Sequence, residues 1–365
     1  MRIGFVIEPY ETAHASGMGY VVLEFARELI RQSVGEHEIV LYSSHAVTKE
    51  GIPGTYELVS LPKHFLGRLW YFFTKKPEVD VLLFMTPLLS IVTSRKVKTV
   101  ALCQELGSQK IPVEGMRPKL FAFFRDHVLM PLSLNRSAAV IVPSEATADD
   151  IRTYYPQVAH KLHLVPDGYQ DLTIYRDSAS EIPEAYKPYF FFAGKVKYRK
   201  NLHGIVSAFI RFKEQTGSPA KLVIAGDHGT GEYFQNMIQE LQAHGLEQDV
   251  HFIGYTVGAT LYSYYTNAHV FVFASLNEGF GMPILEAMHL GVPVITSSIS
   301  SMAEVAGEAG LLVDPYSIED MAEKFERMMT DQALRETCIA RGKERAAAFS
   351  WERSTQGLLQ ILSAL

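Results

Sequence analysis

Cysteine is nearly absent: Cys103 and Cys338 are the only two in 365 residues, far apart and without a metal-ligand pattern around either. Such usage offers no cysteine-built metal centre and suits a reducing cytosol. Long hydrophobic runs are missing as well. The longest, VLLFMTPLLSIV (81–92), holds a proline and falls well short of the ~18 residues that a membrane-spanning helix needs. The amino terminus, MRIGFVIEPY, enters a strand at once and has no signal-peptide pattern. Positive charge is in deficit: 34 Lys and Arg against 40 Asp and Glu leave a net charge of −6, which argues against a general nucleic-acid binder. A soluble, cytoplasmic protein with no nucleic-acid partner is the expectation.

What remains is a globular composition, 47% hydrophobic and 20% charged. At 365 residues the chain exceeds what one hydrophobic core organises, so two domains are expected. Strand-like runs RIGFVI (2–7), EIVLYS (38–43), YELVSL (56–61), VDVLLFM (79–85), TVALCQ (99–104) and AAVIVPS (138–144) alternate with helix-period segments such as 19–32 and 145–155. Near-continuous hydrophobicity within these runs, rather than strict alternation, predicts parallel sheets covered on both faces. The pattern restarts at YFFFAG (189–194) and continues through KLVIAG (221–226), VHFIG (250–254), VFVFAS (270–275), PVITSS (293–298) and GLLVDP (310–315). The fold class read from this is α/β, with two Rossmann-like doubly wound domains. They span 1–169 and 189–349, with a polar, aperiodic linker over 170–188 and a terminal segment over 350–365.

Two stretches carry chemistry. In the first, VFVFAS leads into the turn NEGFG, where Gly279 and Gly281 can take conformations closed to other residues. Pro283 suits the first turn of the helix that follows, and Gly291 ends it. A strand, a glycine turn and a helix start present backbone N–H groups to an anion. Glu278 stands at the carboxyl end of the strand and Glu286 in the helix. In the second stretch, AGKVKYRKNL (193–202), Lys195, Lys197, Arg199 and Lys200 lie between a strand and a helix and make a local anion site. The plain alternatives are an acid-rich helix start, which describes the two glutamates alone equally well, and a solvated basic turn, for which the anion site is the favoured reading.

The wider context is EGFGMPILEAM with the trailing AEVAGEAGLLVDP. This block resembles the signature of retaining glycosyltransferases of family 4, whose GT-B fold sets two such domains facing a cleft. The likeness to a carboxyl-terminal domain of that fold covers nearly all of 189–365. It implies a nucleoside-diphosphate-sugar donor held on the second domain. It also implies an acceptor on the first domain: a glycan, a lipid-linked molecule or another small acceptor. Glu278 would work at the donor sugar and Glu286 would hydrogen-bond the ribose. Lys195, Lys200 and Arg199 would hold the diphosphate, and the helix start at Phe280, Gly281 and Met282 would stabilise its departing charge. Gly254 and Tyr255 would lie at the nucleobase. Gly17 and Gly19, in the loop EPYETAHASGMGY ahead of a helix, would pack close to the diphosphate and acceptor. The terminal helix around Trp351 would cross back onto the first domain. No DxD-type motif stands out, so no cofactor and no metal are expected.

One departure from that pattern is clear. Where the family often carries a His-Asp pair, this chain has Gln104 and Glu105. The family's histidine contacts the donor sugar; Gln104 can exchange hydrogen bonds there but cannot shuttle a proton near neutral pH. That departure keeps a non-catalytic nucleotide-sugar-binding protein open beside the transferase, and a GT-B-type nucleotide-sugar epimerase, which would share the fold and the nucleotide grip but need no acceptor, stays open as well. Finally, PKHFLGRLWYFFTKKP (62–77) and GMRPKLFAFFRDHVLMPL (115–132) interleave aromatics with cations. The favoured reading packs both as amphipathic helices against their own sheet; peripheral contact with an anionic membrane is the other.

Overall fold

The apolar runs become strands, the central ones buried on both faces and those at the sheet edges partly exposed. The computed structural model describes residues 1–8, 17–47, 51–85, 91–106, 122–229 and 231–365. The chain divides into two units, residues 1–168 with 350–365, and residues 169–349. The first unit holds a parallel sheet of β1 (Arg2–Val6), β2 (Glu38–Ser43), β3 (Glu57–Ser60), β4 (Val81–Phe84), β5 (Lys98–Leu102), β6 (Ala139–Val142) and β7 (Leu162–Leu164). Their order is β3-β2-β1-β4-β5-β6-β7. The central strands run through the core: Leu82, Leu83 and Phe84 of β4 and Val100, Ala101 and Leu102 of β5 have no exposed surface, while Lys98 at the start of β5 is exposed. The three-residue β7 is absent from the sequence reading because it is too short and too exposed to show a pattern.

The second unit holds β8 (Tyr189–Ala193), β9 (Lys221–Ala225), β10 (Val250–Gly254), β11 (Val270–Phe273), β12 (Val294–Ser297) and β13 (Leu311–Val313). They are parallel, in the order β10-β9-β8-β11-β12-β13. Its core is strongly aromatic. Phe190 meets Phe325 at 4.7 Å between ring centres and Phe212 at 5.5 Å, and each such buried ring stabilises the fold by about 1.5–3 kcal/mol. The chain winds outward from β8 to β10, then returns and winds the other way from β11. The order therefore reverses between β8 and β11, which pair directly through Val270 with Phe190 and Phe271 with Phe191. A reversal of this kind opens a crevice at the carboxyl ends of the two strands, because their following connections leave to opposite sides.

Three local features differ from expectation. Gly17 and Gly19 lie inside the first turn of helix Gly17–Gln32 rather than ahead of it, and residues 9–16 of that loop lie outside the described residues. The 170–188 segment is no loose linker. It forms 3-10 turns at Leu172–Ser178 and Glu184–Tyr186, buries Leu172 in the second core and stacks Tyr186 on His251 at 4.1 Å. Its anchors are too irregularly spaced to show a period. Helix Phe65–Thr74 turns only part of its apolar surface inward, burying Phe72 and leaving Trp70 exposed.

The last helix, Trp351–Ala364, docks on the first unit. Trp351 sits edge-on to Phe25 at 5.3 Å, and Gly168 lies so close that a Cβ there would stand 2.4 Å from the Trp351 backbone nitrogen. Both cysteines are free and buried. Among the described residues, no helix is long and apolar enough to cross a membrane.

Candidate active site

The reversal between β8 and β11 explains why two stretches some eighty residues apart in sequence meet. The basic turn leaves the end of β8, and the Glu278 turn leaves the end of β11, its neighbour. Gly226 makes the first of these paths possible. It sits at φ 151°, and a side chain there would meet the Gly194 carbonyl oxygen at 1.9 Å, so only glycine lets the β8 and β9 exits run so close. A single 3-10 turn, Tyr198–Lys200, then swings the cations back over the sheet. Asn201, at φ 54°, locks that turn by donating from Nδ2 to the carbonyls of Ala274 at 3.1 Å and Pro315 at 2.7 Å. The Leu276 N–H donates to the Arg199 carbonyl at 2.8 Å, tying the two turns backbone to backbone.

Their side chains converge on one carboxylate. Glu278 is only 9% exposed. Arg199 Nη1 donates to its Oε2 at 2.8 Å and to the Asn277 carbonyl at 3.1 Å. Lys200 Nζ lies 2.8 Å from Oε1 as an ion pair, without the alignment of a hydrogen bond, and 4.7 Å above the Phe273 ring. A buried carboxylate held between two cations is fixed in place and keeps the cations fixed in turn. Lys195, on the same turn, is exposed and makes no ion pair among the described residues.

The turn beyond Glu278 is clasped from the next connection. Ser301 Oγ lies within hydrogen-bonding distance of the carbonyls of both Glu278, at 2.9 Å, and Phe280, at 2.8 Å. Ser300 Oγ accepts from the Glu278 N–H at 3.2 Å, with its own backbone at φ 58°. Gly281 caps helix Met282–His289 at φ 111°, and no side chain caps that helix start. The Phe280 ring is turned into the core against Phe349, so this residue offers its backbone, not its ring.

Glu286 stands on the same helix in a different setting. Tyr265 donates to its Oε2 at 3.1 Å, and the backbone N–H of Gln170 also approaches it. Burial outweighs both donors and pushes the Glu286 carboxyl up to about 7. The buried Tyr265 hydroxyl is itself raised well above its ordinary value, by burial first and by Glu286 next, so it stays a donor. Gly254 ends β10 and Tyr255 follows it, at the same edge of the sheet. The Gly254 carbonyl accepts from Gly226 at 2.8 Å, and the Tyr255 side chain is exposed.

In the first unit, Gly19 is buried in its helix. Gln104, at the end of β5, donates to Asp167 Oδ1 at 3.2 Å. Asp167 is almost fully buried, and burial pushes it up to about 7 against that one donor. Glu8, past the end of β1, accepts from the Ser44 N–H at 2.7 Å and faces Arg68 Nη1 at 3.4 Å. Asp167, Glu8, Tyr265, Ser300 and Ser301 escaped the sequence reading because their partners are far away in the chain. A cavity of about 420 Å³ opens at the opposite, amino-terminal edge of the first sheet, between Arg2, His37, Glu38 and Glu57, and contains none of these residues.

Residues 176–345 match the family Glycosyl transferases group 1. The chain is 34% identical over 172 residues to O-antigen chain mannosyltransferase B of Escherichia coli, covering 47% of this chain and 44% of that protein. It is 24% identical over 285 residues to the serotype-specific mannosyltransferase WbdA of Escherichia coli, covering 73% of this chain and 34% of that one. The matched part is thus under two thirds of either relative's length. Among solved structures, sucrose-phosphate synthase from Thermosynechococcus elongatus superposes with a TM-score of 0.78 at 18% identity, covering 100% of this chain and 98% of the other. HepE of Anabaena, in complex with UDP-glucose, gives 0.76 at 17% identity over 100% of both chains. At these identities the likeness is one of fold.

Proposed function

We propose that this protein is a retaining glycosyltransferase, a reading supported by the match of residues 176–345 to the Glycosyl transferases group 1 family and by the GT-B fold. It takes a hexosyl group from a nucleoside-diphosphate sugar and passes it to a hydroxyl of a glycan, lipid-linked or other small acceptor. The observation that carries this reading is the Glu278 carboxylate clamped by Arg199 and Lys200 at the carboxyl ends of β8 and β11. The donor diphosphate lies against Lys195, Arg199, Lys200 and the helix start at Gly281 and Met282. The anomeric carbon–oxygen bond breaks and its electron pair stays on the departing diphosphate. That charge is met by cations already held in position, which is where preorganised electrostatics lowers a barrier most. The acceptor oxygen bonds to the anomeric carbon on the same face, and its proton passes to the leaving phosphate oxygen. Glu278 sets the donor sugar, and Glu286 takes the ribose hydroxyls.

This arrangement supplies with side chains the charge that a divalent metal would otherwise supply. The test is release of free nucleoside diphosphate from a panel of nucleotide sugars, with and without acceptor and with and without EDTA. Release that depends on acceptor and ignores EDTA supports the reading. Interconversion of the donor without an acceptor would point to an epimerase, and binding without turnover of any donor to a sensor.

A further inference from the structure

We infer that helix Phe65–Thr74 is a docking face for an anionic lipid bilayer. The helix is apolar on two sides. Phe65, Leu69 and Phe72 pack on the core beneath β1, β2 and β4. Leu66, Trp70 and Phe73, which share a face at helical spacing, are 76%, 67% and 68% exposed. Packing against the sheet is satisfied by the first set, so the second has no role inside the unit. Trp70 and Phe73 lie against each other, 6.1 Å between ring centres, and form with Leu66 a contiguous apolar patch of the kind that marks an interaction surface.

Charge selects the occupant. Residues 62–77 contain Lys63, Arg68, Lys75 and Lys76 and no acidic residue, within a chain of net charge −6. Arg68 is turned toward Glu8. Lys63, Lys75 and Lys76, at the two ends of the helix, are exposed and make no ion pair among the described residues. An amphipathic helix with bulky apolar residues between lysines sits in the headgroup region and gains from anionic lipid. A second copy of the chain fits worse, because self-pairing through this face would set the same lysines against one another. In the described part of the other aromatic segment Phe124, Val128 and Leu132 are likewise exposed, but its arginine, Arg125, is paired with Asp126, so the lysine-flanked helix is the stronger face.

The test is co-sedimentation of the full chain with vesicles of phosphatidylcholine alone and of phosphatidylcholine mixed with phosphatidylglycerol. The unaltered protein should pellet with the mixed vesicles, less so as salt is raised, and hardly with the neutral ones. Replacing Lys63, Lys75 and Lys76 by Gln should weaken binding by roughly fivefold per lysine, on the order of a hundredfold together. Leu66→Ser/Trp70→Ser/Phe73→Ser should abolish it with no loss of thermal stability, since none of the three is buried. Trp351 is buried, so a blue shift of emission on vesicle addition that disappears in Trp70→Phe locates the insertion. No pelleting with mixed vesicles, equal pelleting by the variants, or a dimer in solution that the serine variant dissolves would each overturn the proposal. None of these readouts depends on transfer activity.

Discussion

Glu278 and Glu286 are the same residue type, one turn and one helix start apart, and the fold treats them in opposite ways. Glu278 sits at the strand reversal, where two connections bring cations to it. Arg199 and Lys200 both stand 2.8 Å away. Glu286 sits on the inner side of its helix, where its partners are a neutral phenol and a backbone amide, and burial raises it to about 7. The difference is one of available counter-charge. A carboxylate at the mouth of a crevice can be met by long basic side chains, while one lodged against a packed helix meets only groups too short or too buried to carry charge. The first environment holds two cations and a carboxylate fixed at the crevice; the second suits a hydrogen-bonding contact whose strength varies with pH.

The comparison breaks most visibly at Glu278. Glu278→Gln keeps the shape and removes the charge, and transfer should fall by about two to three orders of magnitude, as when a preorganised electrostatic partner is lost. Binding of free nucleoside diphosphate should hold or tighten, because Arg199 and Lys200 are released from their competing carboxylate. Calorimetry alongside turnover decides this, and an equal loss in both would deny Glu278 its separate role. Next in size is Lys195→Ala/Lys200→Ala. Affinity for nucleoside diphosphate should drop about 10- to 150-fold, the worth of one charge-assisted hydrogen bond, while affinity for the nucleoside stays unchanged. Unchanged relative affinity would reduce the cluster to a solvated turn.

The smallest effect sharpens the other side. A carboxyl raised from 4.5 to about 7 by folding binds more protons in the native state between those values. Its stabilising contribution is therefore full at low pH and is lost as pH rises through about 7. Asp167, raised to about 7 in the first unit, acts in the same direction. Glu286→Gln cannot ionise, so at pH 8 it should be more stable than the unaltered protein, by on the order of 1–2 kcal/mol after allowance for partial exposure. At pH 4.5 the two should converge. Chemical denaturation at both values measures it, and a gap that does not narrow on acidification would show that Glu286 is not the titrating group.

Much of this was legible beforehand for a physical reason. Strands β8 and β11 announce themselves by unbroken apolar runs, because the middle of a parallel sheet buried on both faces admits little else. The basic turn and the glutamates were visible because charges at strand ends stand out against such runs. The roles of Gly281 and Pro283 at the helix start follow from backbone sterics that any context preserves. Partners across the chain were a different matter. That Arg199 and Lys200 clasp Glu278, that Ser300 and Ser301 hold its turn, and that Tyr265 meets Glu286 depend on strand order, and strand order leaves no periodic trace.

The same division separates the two faces of helix Phe65–Thr74. Its composition shows aromatics and lysines, and amphipathic spacing is equally good for a core or a membrane. Only once β1, β2 and β4 had taken up Phe65, Leu69 and Phe72 did Leu66, Trp70 and Phe73 become surface. Local sequence settles which conformations each segment adopts, because sterics and burial preference act over a few residues. Which charge meets which carboxylate, and which apolar face is left over, is settled by packing between segments far apart in the chain, where the free energy belongs to the pair and to neither residue alone.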